Sequence, residues 1–215
     1  MTEPSNVVDL QEPRVRMSGQ ERRAQLLRIG RALFAERGYE AASVEEIAER
    51  AKVSKPVVYE HFGGKEGLYA VIVDHEVTHL LQRITAALEA QHPRVALEQV
   101  ADAFLSYVED EEEGFRILVR DAPLGTATGS LPTVMGDIGA AVESLLAKEF
   151  KARGYDRKIA PVLARALVGM VALTGLWWLD AGKPSRQVVA AHLVNLAWNG
   201  LKDLEPDPIR SKRAR

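Results

Sequence analysis

Residues Ser43 to Lys65, SVEEIAERAKVSKPVVYEHFGGK, constrain the fold more tightly than any other stretch of this chain, because their punctuation fits two short helices delivered onto a third. Ser43 is a good N-cap and Glu46 follows three residues later, so the pair predicts a reciprocal capping box. Val44, Ile47, Ala48 and Ala51 then fall on one helical face, which reads as a core face. Lys52 and Val53 make the turn. Ser54 is placed to cap the next helix, and Pro56 stands in its first turn, where a missing N–H does little harm. At about 100° per residue, Val58 and Phe62 point inward together. Pro56 and Glu60 point the opposite way, with Val57 and Tyr59 on the flanks. Gly63 and Gly64 break this helix, and Lys65 and Glu66 open another whose first amides, together with the lysine, can hold a phosphate. The pattern is a helix-turn-helix beside an anion site.

Composition sets the frame. A chain of 215 residues with 27% charged side chains is long enough for one large core or two small ones, and two is the expectation. Net charge is −2, and Met1 to Ala70 holds as many acids as bases, so any basic surface has to be local. Cysteine is absent, which excludes disulfides and thiolate sites and fits a cytoplasmic setting. The opening MTEPSNVVDL carries acids and a proline where a signal sequence would be basic, then apolar. The longest apolar run, Ala166 to Leu179, is short for a bilayer and is interrupted by glycines and Thr174, so no membrane span is expected.

No strand periodicity occurs along the chain. Residues 1–17 lack periodicity and read as a disordered arm. A first helix begins after Ser18, boxed by Glu21, and stops at Gly38, with Leu26, Ile29, Leu33 and Phe34 inward. Arg22 and Arg23 near its start oppose the helix dipole: either the surface tolerates them or a phosphate compensates. A fourth helix runs from Lys65 to Glu89. Its His75 and His79 are spaced to face one ion, but no HExxH arrangement accompanies them, and no metal site is assigned. Further helices are expected over Arg94–Glu111, Glu113–Arg120, Thr133–Arg153, Ile159–Ala181 and Ser185–Leu204, with Asp121 to Thr133 as a loop and a basic tail from 205. The acids from Glu109 to Glu113 spread around a helix end and read as solvated. The last two long helices carry little charge and need burial on more than one side, for which a second copy of the chain is the natural source.

On the capped SVEEIA helix, the VSKPVVYEHF helix and the GGKEGLY segment, the stretch from Arg22 to Leu68 resembles the DNA-binding segment of the TetR/AcrR family of one-component transcriptional regulators. The resemblance implies an all-α fold: a helix-turn-helix domain over 18–64 and a helical effector-binding and dimerisation domain over 65–204. Ser43, Tyr59, His61 and Lys65 match family positions that contact phosphates, so they are expected to position the protein. Lys55, Pro56 and Val57 match base-facing positions, where lysine donates to guanine and the apolar pair suits thymine methyls. Glu60 either accepts from a cytosine amino group or pairs with a neighbouring lysine. Arg14 and Arg16 either belong to a solvated tail or enter a minor groove, as such arms do in family members.

The family also implies a homodimer through the last two long helices, a double-stranded DNA operator and a small-molecule effector held in the second domain. Phe104, Tyr107, Phe115, Leu118, Met135, Met170, Thr174, Trp177 and Trp178 are candidate pocket residues because they are large and lie on the middle helices; most are expected to be packing. Their apolar character points to an apolar or amphipathic effector. The functional expectation is a repressor released from a palindromic operator by that effector, with an effector-independent helix-turn-helix DNA-binding or adaptor protein as the alternative. No nucleophile-and-base set, metal-binding pair with a base, or phosphate loop supports an enzyme, and no cofactor is expected.

Overall fold

Nine α-helices and one 3-10 turn make up the described part of the computed structural model, which covers residues 17–88, 92–120, 131–202 and 204. The expected arm, its Arg14 and Arg16, most of the Asp121–Thr133 loop and the basic tail lie outside the described residues. Among those described there is no strand.

Helix α1 (Gly19–Ala41) starts on the box that its sequence announces: Ser18 Oγ accepts from Glu21 N at 3.2 Å and Glu21 Oε2 accepts from Ser18 N at 2.7 Å. Its regular course is broken at Gly38, as expected. That residue adopts φ 80°, ψ 168°, a conformation open to glycine, and one further turn follows before Ala42. Helix α2 (Val44–Ala51) has only half of its expected box. Ser43 Oγ accepts from Glu46 N at 3.2 Å, but the Glu46 carboxylate is taken by Arg50 at 2.9 Å and Arg37 at 3.1 Å. Two guanidiniums outcompete a neutral amide. Helix α3 (Lys55–Phe62) follows a turn in which Lys52 is left-handed at φ 54°; Ser54 has N-cap backbone geometry but makes no side-chain cap hydrogen bond, contrary to expectation.

Then come α4 (Lys65–Leu88), α5 (Pro93–Asp110), α6 (Glu112–Arg120), α7 (Leu131–Arg153), α8 (Ala160–Ala181, after a 3-10 turn over Arg157–Ile159) and α9 (Arg186–Lys202). Helix α4 is the spine, packing on α1 and α3 near one end and on α5, α6 and α7 further along. Helices α7 with α8 and α5 with α9 make the largest pairings of the second half. The buried side chains form one connected cluster rather than two cores. It runs from Leu26, Phe34, Ile47 and Val58 through Leu68 and Leu80 to Phe104, Phe115 and Trp178, and it is continuous because α4 and α6 contribute to both ends.

The segment Arg157–Ala181 is long and apolar enough to cross a membrane by length and composition, a test that the core helix of a soluble protein also passes. In the fold, α8 packs along α7 and α5. Its other face is open: Leu173 is 67% exposed and Trp177 57%, and Leu196 of α9 is 65% exposed.

Candidate nucleic-acid interface

Helix α3 is anchored by Val58, fully buried, and by Phe62, half-buried against the core. This orientation leaves Lys55, Pro56, Tyr59 and Glu60 outward, Tyr59 being 54% exposed. Of the three expected base-facing residues, Lys55 and Pro56 are exposed, while Val57 is half-buried and packs on the core. Lys55 is paired with Glu45 of α2, which holds the Glu45 carboxyl below its ordinary range, chiefly by the hydrogen bond. Glu60 makes no ion pair among the described residues, so the pairing with a neighbouring lysine weighed for it is not formed there.

The four expected phosphate-contacting residues differ in exposure and engagement. Ser43 is half-buried with its hydroxyl committed to capping α2. Tyr59 is open, and His61 is half-buried near Phe62. Lys65 is engaged within the chain: Nζ donates to the carbonyls of Tyr39 at 2.9 Å and Glu40 at 3.4 Å, and lies 4.3 Å from the centre of the Tyr39 ring. It therefore ties the start of α4 to the end of α1.

A residue that sequence reasoning left ambiguous does the seating of α3. Arg23 donates from Nη1 to the His61 carbonyl at 2.9 Å and stacks 4.4 Å over the Phe62 ring. A cation at a helix C-terminus is favourable, so the dipole conflict noted for Arg23 in its own helix is answered by another helix. Its signal in the sequence was a charge in an unfavourable place. Two glycines make the α3–α4 junction tight. A Cβ on Gly67 would lie 1.9 Å from the Phe62 carbonyl oxygen, and one on Gly64, at φ 130°, would lie 3.3 Å from the Tyr59 ring.

Behind this unit lies a polar cluster that the sequence did not announce. Glu76 of α4 is 2% exposed. Its Oε1 accepts from Arg31 Nε of α1 at 2.8 Å and its Oε2 from the Tyr107 hydroxyl of α5 at 2.8 Å. Arg31 also donates to Glu111 at 2.6 Å. Burial, reinforced by the Glu76 charge, pushes the Tyr107 phenol far up, so it remains a donor. Burial pulls Arg31 down, but Glu76 and Glu111 outweigh it and the guanidinium is raised overall. His75 and His79 lie 6.2 Å apart ring to ring, and His79 Nε2 accepts from Arg83.

In the second half, α4, α5, α7, α8 and α9 enclose a cavity of about 210 Å³ whose walls are almost wholly apolar, including Leu80, Ile84, Val100, Ile138 and Val171, with Lys148 and Glu149 as its charged members. Of the residues picked out for size, Phe104 and Met135 line it. Tyr107, Phe115 and Leu118 are fully buried core elsewhere, and Met170 and Thr174 are half-buried but not on the wall. Trp178 is buried with its indole N–H on the Pro184 carbonyl at 2.7 Å, and Trp177 faces outward. Most of the lining residues that were missed are aliphatic and carry no signal beyond ordinary core periodicity; Trp198, Lys148 and Glu149 are the exceptions in type.

A helix-turn-helix with an open second helix, carried on an all-helical unit with an apolar cavity, defines a DNA-binding regulatory protein. Residues 26–72 match the N-terminal domain described as bacterial regulatory proteins of the tetR family, and residues 93–200 match the tetracyclin repressor-like C-terminal domain. The chain belongs to the TetR family of transcriptional regulators. It is 31% identical over 192 residues to the transcriptional activator FasR of Mycolicibacterium smegmatis, covering 86% of this chain and 85% of that one. It is 32% identical over 165 residues to the transcriptional repressor Rv3405c of Mycobacterium tuberculosis, covering 71% and 80%. The crystal structure of AibR with isovaleryl coenzyme A and operator DNA shares the fold at TM-score 0.68 and 20% identity, covering 82% of this chain and 97% of that one.

Proposed function

We propose that this protein is a cytoplasmic, homodimeric repressor that binds a palindromic operator through α3 and is released by a small amphipathic effector held in the apolar cavity. The observation that carries this reading is the course of α4. Its first residue, Lys65, sits beside the recognition helix, and Leu80 and Ile84 on the same helix line the cavity. One rigid element touches both sites, so a ligand that favours one placement of α4 changes operator affinity. In this reading residues 18–64 form the DNA-binding domain and 65–204 the effector and dimerisation domain.

Lys55 and Pro56 read bases, joined by Val57 at the edge of the core, while Ser43, Tyr59, His61 and Lys65 hold phosphates. The open apolar face of α8 and α9 supports the dimer, which places two copies of α3 about one helical turn of DNA apart. The apolar wall with a charged pair on its lining suits an acyl chain with a polar head, the chemistry of the coenzyme A thioester bound by AibR.

The test starts with operator selection from a random DNA pool. Acyl coenzyme A thioesters from isovaleryl to palmitoyl are then titrated onto the complex. An effector of this class is expected to lower operator affinity by about 5–150-fold; release only by strongly polar ions would defeat the reading. Lys65→Ala is expected to weaken binding to all sequences and to reduce the salt dependence by about one charge. An unchanged salt slope, measured by fluorescence anisotropy over a range of salt, would leave Lys65 as a tie between α1 and α4 only.

A further inference from the structure

Glu76 is the one charged side chain fully buried among the described residues, and it sits midway between the two sites that α4 connects. Leu80 and Ile84, about one and two helical turns further on, line the cavity. Its carboxylate is gripped from two sides, by Arg31 from the helix-turn-helix unit and by Tyr107 from α5. The grip admits no bulk: a Cβ on Gly114 of α6 would lie 2.0 Å from Glu76 Oε2 and 2.8 Å from Arg31 Nη2.

Tyr107 is connected to the cavity by rings. Phe104, one turn earlier on α5, lines the cavity and meets Phe115 of α6 edge-on at 5.7 Å, and Tyr107 meets the same Phe115 edge-on at 6.5 Å. Phe104 is held on its other side by α8, where a Cβ on Gly175 would come within 2.5 Å of its ring. A ligand that displaces Phe104 has little free space to move it into except along α5 and α6. Apolar contacts tolerate such a slide, whereas a hydrogen bond weakens steeply with angle and distance.

We propose that Arg31, Glu76 and Tyr107 are positioning residues that report the occupancy of the cavity to the helix-turn-helix unit: displacement of Phe104 alters the Tyr107 hydroxyl's bond to Glu76, and with it the purchase of Glu76 on Arg31 and α1. This rests on the effector reading above and assigns its route. The described arrangement is the gripped state, so weakening the grip moves the ligand-free protein toward the ligand-bound one.

Tyr107→Phe keeps the ring and removes only the hydroxyl, with Tyr155→Phe as a control far from the cluster. Full-length proteins are compared on the selected operator, with and without the same thioester series, under conditions where circular dichroism shows all of them folded. Tyr107→Phe is expected to shift ligand-free operator affinity roughly 10-fold toward the ligand-bound wild-type value and to shrink the ligand effect by the same factor, as loss of a hydrogen bond to a charged group implies. A merely structural role lowers the melting temperature and leaves both quantities unchanged, and that result overturns the proposal. Arg31→Lys, which replaces the guanidinium fork that meets Glu76 through Nε and Glu111 through Nη2 by a single ammonium, is expected to shift both in the same direction, and serves if Tyr107→Phe does not fold. If no thioester affects the wild type, the effector reading fails. The cluster is then judged on ligand-free affinity alone, where a shift in Tyr107→Phe absent from Tyr155→Phe supports it and equal affinities overturn it.

Discussion

Replacing Leu173 and Trp177 together by glutamate is expected to yield a folded monomer whose operator affinity is about 10²–10⁴-fold below that of the wild type. The two residues stand four apart on α8 and so project from one face, 67% and 57% exposed in the single chain. Substitution there leaves the internal core intact, while a pair of carboxylates in the middle of the proposed interface between two copies would be desolvated without partners. The loss on DNA arises because the second half-site is no longer bound intramolecularly. Sedimentation equilibrium checks the first expectation and mobility shift on full and half operators the second. A double variant that stays dimeric would move the interface off this face.

Glu76→Ala is expected to destabilise the fold by about 3 kcal/mol, read from urea unfolding at constant m-value. Removing the carboxylate strands the Tyr107 hydroxyl, which is fully buried, and takes from Arg31 one of its two close acids. Breaking a buried pair by deleting one partner typically costs about 3–5 kcal/mol. Arg31 keeps Glu111 at 2.6 Å and is itself about a quarter exposed, which sets the expectation at the lower end of that range. A loss below about 1 kcal/mol, the range of an ordinary solvent-exposed pair, would mean that solvent reaches the cluster.

These two expectations differ in how they could have been reached. The apolar character of α8 and α9 was plain from composition, and so was the need for a second source of burial. Helix ends were also legible, because caps and breakers act over a few residues: α4 was expected over Lys65–Glu89 and spans Lys65–Leu88, and α9 over Ser185–Leu204 against Arg186–Lys202. Where local signals had distant competitors, they misled. Glu46 had the spacing for a capping box but found Arg37 and Arg50. Glu60, weighed as a partner for a neighbouring lysine, makes no ion pair among the described residues, and Lys55 is paired with Glu45 of the preceding helix. Of the residues chosen by size, Phe104 and Met135 line the cavity, whose wall is otherwise made mostly of aliphatic side chains that size does not single out.

The sequence by itself determined the resemblance to the family, the helix-turn-helix, the direction in which α3 presents Pro56 and Glu60, and the order of the helices. The helix-turn-helix, the facing of α3 and the order of the helices follow from capping chemistry, turn residues or a 3.6-residue period, all of which operate within a turn or two of chain. Tertiary structure alone decided that Arg23 closes the end of α3, that Lys65 ties α4 to α1, that Glu76 joins three helices, and where the cavity lies. Those contacts span 38, 26 and 45 residues for Arg23 with His61, Lys65 with Tyr39 and Arg31 with Glu76. A buried charge is stable only if its partners arrive from other elements at hydrogen-bonding distance, and no local pattern encodes that arrival.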